Sequence, residues 1–213
     1  MKKFELTAEF VTNVFGKKLF RVKALVAFGN VEKGELGGFI ENEDNLSHDG
    51  NAWVYGNAWV YDNARVSGDA HVSGNALVSG NAWVSGNAWV YDEAQVYGNA
   101  WVYDNARVSG DAHVSGDAHV SGDAHVSGDA HVSGNALVYD EADYATVKGF
   151  GQFFRATTFF RCKDKILRVQ CGYFYGDLEQ FREIVKKTHG DSKRAKEYLA
   201  IADLMELHFA EDE

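Results

Sequence analysis

Four histidines at intervals of six residues are the side chains whose type and spacing most directly suggest chemistry: His113, His119, His125 and His131. Imidazole titrates near neutral pH and acts as a general base when a second group orients its ring. The four residues also occupy one position of a repeated unit, so duplication of that unit explains them more simply. Only His113 and His131 are three units apart, the spacing that stacks them on one face, and two ligands are fewer than a zinc site uses. We therefore predict no catalytic residue, no metal site and no cofactor.

The histidines belong to a six-residue repeat that runs from Asn51 to Asp140. Valine recurs at every sixth position from Val54 to Val138, fifteen times in succession, in units that read (Asn/Asp)-Ala-x-Val-(Ser/Tyr)-(Gly/Asp). Alternation along a short strand turns Ala and Val inward and the x and Ser/Tyr residues outward. Gly, Asn and Asp suit the corners because they tolerate positive φ. The narrow Val/Ala core predicts a three-sided solenoid, in which fifteen units make about five coils of three units each.

The repeat resembles the hexapeptide repeat of left-handed β-helix proteins, in which an aliphatic residue is followed four positions later by a small one. Val114-Ser115-Gly116-Asp117-Ala118-His119 is a representative unit. The resemblance implies a mainly β fold, a left-handed parallel β-helix, although periodicity alone does not set the hand. Units such as Gly-Asn-Ala-Trp-Val-Tyr, placed between the segment 36–41 and a compact tail, are also similar to those of uncharacterised phage and prophage proteins, which have no established activity.

The same resemblance raises an enzymatic alternative, because the acyltransferases of that superfamily use a histidine as base. Their sites generally form where a histidine meets an extended loop and a neighbouring subunit. No inserted loop interrupts this repeat between Val54 and Val138. A hexapeptide-type acyltransferase that uses a solenoid histidine therefore stays the second hypothesis, and it predicts binding of an acyl carrier such as coenzyme A.

The flanking segments predict two smaller units. Residues 1–50 read as an N-terminal β cap of two or three strands, which would cover the open end of the first coil. Residues 51–144 are the hexapeptide-repeat solenoid. Residues 145–213 read as a C-terminal α+β module with strands over 145–148, 153–162 and 166–175. Two helices follow, the first with a capping box at Asp177-Leu178-Glu179-Gln180.

Charge is concentrated in the solenoid. Residues 51–140 contain ten acidic and two basic residues, a balance of -8 within the formal -10 of the chain. Such a surface repels phosphate backbones, so we expect no nucleic acid partner, whereas a basic protein surface would be attracted. Cys162 and Cys171 flank a hairpin out of register for a disulfide, and no long apolar segment predicts a membrane span. These features favour a protein of a bacterial cytoplasm.

Carboxylates recur at the corners and predict an acidic surface. With three units per coil, Glu93, Asp111 and Asp129 share one column, and Asp123 and Glu141 share another. Carboxylates about 4.8 Å apart could share Ca²⁺. We favour the alternative that each carboxylate satisfies its own turn, because calcium-binding solenoids carry a denser ligand motif. The predicted acidic surface comprises Glu93, Asp111, Asp117, Asp123 and Asp129.

Aromatic residues occupy the outward positions, which is unusual for side chains of this size. All five tryptophans are at the x position, and Trp83, Trp101 and Tyr103 are predicted on one face. Exposed Trp and Tyr are typical of protein interfaces. Three alternatives are that the terminal units fold over them, that aromatic ladders stabilise neighbouring strands, or that the rings form a sugar-binding surface, which nothing in the spacing selects. The interface candidates are Trp53, Trp59, Trp83, Trp89, Trp101, Tyr91, Tyr97 and Tyr103.

Together these features favour a non-enzymatic protein-binding or scaffold protein of phage type. We expect a homo-oligomer, a trimer or dimer, with a protein partner such as a basic surface on a host protein. One specific form is an inhibitor of a host defence protein. A purely structural, self-assembling protein is the remaining alternative.

Overall fold

The N-terminal segment forms three antiparallel strands: β1 Phe4–Thr12, β2 Lys18–Ala24 and β3 Leu36–Ile40. The computed structural model describes residues 2–210, and these strands are its first elements. The turn between β1 and β2 is closed by Asn13, whose Oδ1 accepts hydrogen bonds of 3.0 Å from the backbone of Phe15 and of Lys17. This hairpin and β3 form the first part of an eight-stranded sheet.

Fifteen strands of two residues follow at six-residue intervals, and each contains one valine of the repeat. They are β4 Trp53–Val54, β5 Trp59–Val60, β6 Arg65–Val66, β7 His71–Val72, β8 Leu77–Val78, β9 Trp83–Val84, β10 Trp89–Val90, β11 Gln95–Val96, β12 Trp101–Val102, β13 Arg107–Val108, β14 His113–Val114, β15 His119–Val120, β16 His125–Val126, β17 His131–Val132 and β18 Leu137–Val138.

Strands three repeat units apart pair in parallel and make the three faces of a solenoid. Face A contains β5, β8, β11, β14 and β17; face B contains β4, β7, β10, β13 and β16; face C contains β6, β9, β12, β15 and β18. The repeat alanines and valines are buried, as the alternation predicts. The mainly β solenoid is therefore confirmed, and its left hand stays a prediction.

The solenoid is one turn longer than the valine repeat indicates. Strand β3 pairs in parallel with β5 and places Ile40 against Val60, while Leu46 bridges Val66. Face A consequently has six parallel rungs, β3 included. Ile40 and Leu46 are themselves six residues apart, but Val54 follows Leu46 by eight, and this interruption hides the first turn from a search for strict periodicity.

Positive-φ residues turn the corners. Glycine occupies most of these positions, and Asp62, Asp92 and Asp104 replace it with φ of 60°, 59° and 59°. Successive coils are joined by backbone hydrogen bonds, for example from Trp83 N to the Ala100 carbonyl at 2.9 Å. Asp140 has φ of -147° instead and caps a 3-10 turn over Glu141–Asp143, which ends the repeat.

The N-terminal strands close one end of the solenoid, and this corrects one prediction. Trp53 was expected to be outward and accessible, but it is completely buried. Phe28 and Phe4 cover its ring at centroid distances of 5.4 and 6.3 Å. The backbone of Gly37 also packs against the Trp53 ring, and it can do so because it lacks a Cβ, which would lie 2.8 Å from that ring. Trp53 is thus part of the core and is no interface candidate.

A sheet of four antiparallel strands closes the other end: β19 Tyr144–Val147, β20 Thr157–Arg161, β21 Leu167–Cys171 and β22 Phe174–Asp177, in that order. Alternation in β20 sends Phe160 into the solenoid core and Phe159 into a second core beneath the helices. The strand expected over 153–162 begins only at Thr157, because Phe154 has a left-handed φ of 51° that β structure cannot accommodate.

Two helices cover the outer side of this sheet, α1 Leu178–His189 and α2 Lys193–His208. The predicted capping box is confirmed, with Gln180 N donating to Asp177 at 2.8 Å and Asp177 N donating back to Gln180 at 3.0 Å. Phe181 and Met205 pack with Phe159 in the second core. Cys162 and Cys171 are free thiols, as their register predicts. Within residues 2–210, the helices are too short or too polar to cross a membrane.

Candidate functional site

Face C carries two exposed tryptophans in a fixed arrangement. Trp83 and Trp101 are register partners, and their rings meet edge to face at 5.4 Å. The indole of Trp83 donates a 2.9 Å hydrogen bond to Ser67 Oγ. The Trp101 ring stacks on His119 at 5.1 Å with an interplanar angle of 5°. Both tryptophans stay about two-fifths exposed, at 40% and 42%, so this face presents an ordered aromatic surface to solvent.

Tyr103 and Lys163 complete the neighbourhood of that stack. Tyr103 approaches the edge of the His119 ring at 6.1 Å. Lys163, from the C-terminal sheet, places Nζ 3.0 Å from Nε2 of His119. Burial and, next, this ammonium lower the pKa of His119. His119 therefore supports the Trp101 ring mainly as a neutral imidazole at pH 7.

Face B has one exposed tryptophan in a second stack. Trp89 lies on His71 at 5.1 Å, and the Arg107 guanidinium is 6.0 Å from the Trp89 ring. Further along this face, Ser109 Oγ and the Tyr91 hydroxyl lie 3.0 and 3.4 Å from Nε2 of His125. Tyr91 is thereby held against the solenoid and contributes less free surface than Trp89.

Face A begins beneath the N-terminal hairpin. Trp59 is half-buried against a small cluster that contains Leu19, Phe39 and Tyr61. Tyr97 is exposed and approaches His113 edge to face at 6.1 Å, and His113 stacks on His131 at 4.6 Å. Burial lowers the pKa of both histidines, and for His113 the neighbouring His131 adds to the effect.

The four spaced histidines do not converge on one site. His113 and His131 lie on face A, His119 on face C and His125 on face B. Among the residues that the structure describes, none of the four has a carboxylate partner within salt-bridge distance. His113 and His131 stack on each other, His119 stacks on Trp101, and His125 contacts Ser109 and Tyr91, so the four rings take part in separate local contacts.

The acidic residues are tied into corner ladders of asparagines. Asn75 donates to Glu93 at 2.6 Å, Asn99 to Asp117 at 2.9 Å and Asn105 to Asp123 at 3.1 Å. Asp129 instead pairs with Lys148 at 2.5 Å. In the span 2–210, no three potential ligands cluster as a metal site would require. The amide ladders were missed from the sequence, although asparagines three repeat units apart at one corner position were the available signal.

The solenoid and the C-terminal sheet carry opposite net charges. Residues 145–175 contain six basic residues and one acidic residue, a balance of +5 beside the -8 of residues 51–140. Lys148 reaches Asp129, and Lys163 reaches the Asp117 carbonyl at 3.4 Å. The basic sheet is therefore matched to the acidic solenoid that it closes.

Comparison with known families agrees with the repeat. A family model described as the YdcK Beta solenoid repeat matches residues 58–74, 70–86, 94–106 and 100–116. In this region the chain is similar to that family. The matches cover less than half of the chain and lie within the solenoid, so the similarity concerns the repeat. A search of curated proteins finds no match.

Proposed function

We propose that this protein is a non-enzymatic binding and scaffold protein that associates through the aromatic surface of face C. The observation that carries the proposal is the Trp83–Trp101 pair, exposed yet held by Ser67 and His119. Rings that are ordered before association lose little conformational entropy on binding. Trp is also the residue type most enriched among interface hot spots.

We propose a second copy of the chain as one occupant of face C, which would make a homo-oligomer. Flat strands of constant length allow two solenoids to lie side by side, and a two-fold interface uses the same patch on both chains. A dimer arranged in this way would bury the indoles that a monomer leaves in water. A trimer would bury them against a different patch of the neighbouring chain.

A heterologous partner is the other part of the proposal. The solenoid balance of -8 would draw a basic protein surface. A basic surface on a host protein, including a host defence protein that this chain would inhibit, is the form that fits a phage or prophage origin. We propose the phage or prophage origin and the cytoplasmic location because the sequences of the repeat units resemble those of phage and prophage proteins.

Light scattering tests the role of face C. We expect the native protein to exceed the mass of one chain, and Trp83→Ala/Trp101→Ala to weaken association roughly 1000-fold, since each hot-spot tryptophan contributes about 2 kcal/mol. Trp89→Ala is the matched control, because Trp89 is 48% exposed on face B. A native mass equal to one chain, or an equal loss in the control, would contradict self-association through face C.

Two further measurements separate the alternatives. Capture of a basic host protein that weakens with salt supports the heterologous partner, and capture of none at low and high salt counts against it. Calorimetric titration with coenzyme A should show no binding. Saturable binding of coenzyme A would instead favour the acyltransferase hypothesis.

A further inference from the structure

Two cavities lie at opposite ends of face A. The first, about 850 Å³, is formed where the hairpin tip overhangs β5, β8 and β11, and its lining includes Val14, Phe15, Trp59, Leu77 and Tyr97. The second, about 400 Å³, lies between β17 and the C-terminal sheet, and its lining includes Asp129, His131, Lys148, Arg155, Gln170 and Tyr173. Both volumes fall in or near the range of ligand-binding clefts.

A continuous strip of rings joins the two cavities. Tyr97 lines the first cavity and His131 lines the second. The ring of His113 lies between them, with its centroid 6.1 Å from that of Tyr97 and 4.6 Å from that of His131. From β8 to β17 there are three steps between neighbouring rungs. At about 4.8 Å per step, β8 and β17 are roughly 14 Å apart, which is the span of about four extended residues.

The first cavity is apolar and open to solvent. Val14 and Phe15, at the hairpin tip, are 93% and 75% exposed. Lys17 also lines this cavity, but its ammonium is paired with Asp62 at 2.5 Å and with Glu41 at 3.2 Å. This end therefore suits a large apolar side chain and offers no free cation to a carboxylate.

The second cavity has a free cation. Lys148 neutralises Asp129, whereas the Arg155 guanidinium has no carboxylate within 4 Å in the described part of the chain. The Arg155 guanidinium lies 4.8 Å from the centre of the Phe153 ring and beside Gly172, where a Cβ would lie 2.7 Å from Nη1. A planar guanidinium in this position matches the two oxygens of a carboxylate.

We propose that face A binds an extended peptide segment of a partner protein, with a large apolar side chain in the hairpin cavity and a carboxylate at Arg155. Glu93 and Asp111 occupy the corners that precede β11 and β14, and the charge of Asp111 acts on the His113 ring of the strip, so a basic residue between the apolar residue and the carboxylate completes the recognised pattern. This inference rests on the proposed function as a binding protein, and it assigns to that function a second site, separate from face C.

A pair of synthetic peptides tests the proposal. Acetyl-Phe-Gly-Lys-Gly-Gly with a free carboxylate has the required span, and its C-terminal amide differs by one charge. In titrations followed by NMR with the full-length protein, we expect the acid to bind at least about 10-fold more tightly than the amide, because charge-assisted hydrogen bonds are the stronger ones.

Variants assign the two ends of the peptide. Arg155→Gln should reduce the affinity for the acid to that for the amide, and Phe15→Ala should weaken both peptides; both residues are exposed, so the fold is kept. Trp83→Ala/Trp101→Ala should bind the acid as the native protein does, which separates this test from the test of face C. Equal affinity for acid and amide, no binding of the acid, or an unchanged affinity in Arg155→Gln would overturn the proposal.

Discussion

At the residue scale, the corner glycines contribute to stability in two ways, by adopting a left-handed φ and by leaving room for the backbone of the next coil. Gly86 and Gly128 have nearly the same left-handed φ, 66° and 64°. A Cβ at Gly86 would lie 2.7 Å from the backbone N of Asp104 in the next coil, whereas Gly128 has no atom within 4 Å of that position. The first glycine is required by conformation and by stacking, and the second by conformation alone.

This pair gives a prediction about stacking. Gly128→Ala should lower the free energy of unfolding by about 1–2 kcal/mol, the cost of a left-handed alanine. Gly86→Ala should lower it by about 1–3 kcal/mol more, because neighbouring coils must separate to admit the methyl group. Urea denaturation of both variants measures the difference. Equal losses would show that the coils are not packed as closely as the structure has them.

At the scale of elements, the terminal sheets stabilise the solenoid by closing its ends, since a terminal repeat would otherwise expose its core. Phe160 of β20 is completely buried against the last coil, while Phe153, seven residues earlier, is 65% exposed in the preceding loop. This short segment therefore contains one phenylalanine in the core and one on the surface.

Removing these rings one at a time tests the role of β20. Phe160→Ala should destabilise the protein by about 3–5 kcal/mol, the usual cost of a cavity left by a buried phenylalanine. Phe153→Ala should change the free energy of unfolding by less than about 0.5 kcal/mol, because its ring faces water. Denaturant midpoints would compare them, and a small effect of Phe160→Ala would contradict closure of the solenoid by β20.

The sequence predicted the repeat strands of the solenoid better than it predicted how the two ends of the solenoid are covered. Strict spacing was enough for the inward valines and for the contact between Trp83 and Trp101, because both follow from one repeated geometry. The burial of Trp53 was not predictable, since Phe4 and Phe28 reach it through long-range packing. Phe153 and Phe154 have high strand propensity, and only the left-handed φ of Phe154 shows that they lie in a loop. The proposed peptide site on face A combines residues of the N-terminal hairpin with residues of the C-terminal sheet, so its prediction from sequence also requires long-range packing.

At the scale of the whole molecule, the outward histidines link all three faces to pH. The pKa is lowered for His71 on face B, His119 on face C, and His113 and His131 on face A, with burial the largest cause in each case. A lowered folded-state pKa means that the unfolded chain binds protons more readily. Stability from these groups is complete above the ordinary histidine pKa of about 6.5 and is lost as the pH falls below it.

The stacked pair on face A makes this dependence testable. The free energy of unfolding should decrease between pH 7.5 and pH 5.5, a window in which ordinary carboxylates, with pKa values near 4, stay ionised. His113→Gln/His131→Gln removes two of the four histidines with lowered pKa, so the decrease in its free energy of unfolding should be smaller than that of the native protein. Urea denaturation at the two pH values gives both slopes. An equal slope in the variant would show that protonation of these rings does not oppose folding, and that the coupling between pH and stability arises elsewhere in the solenoid.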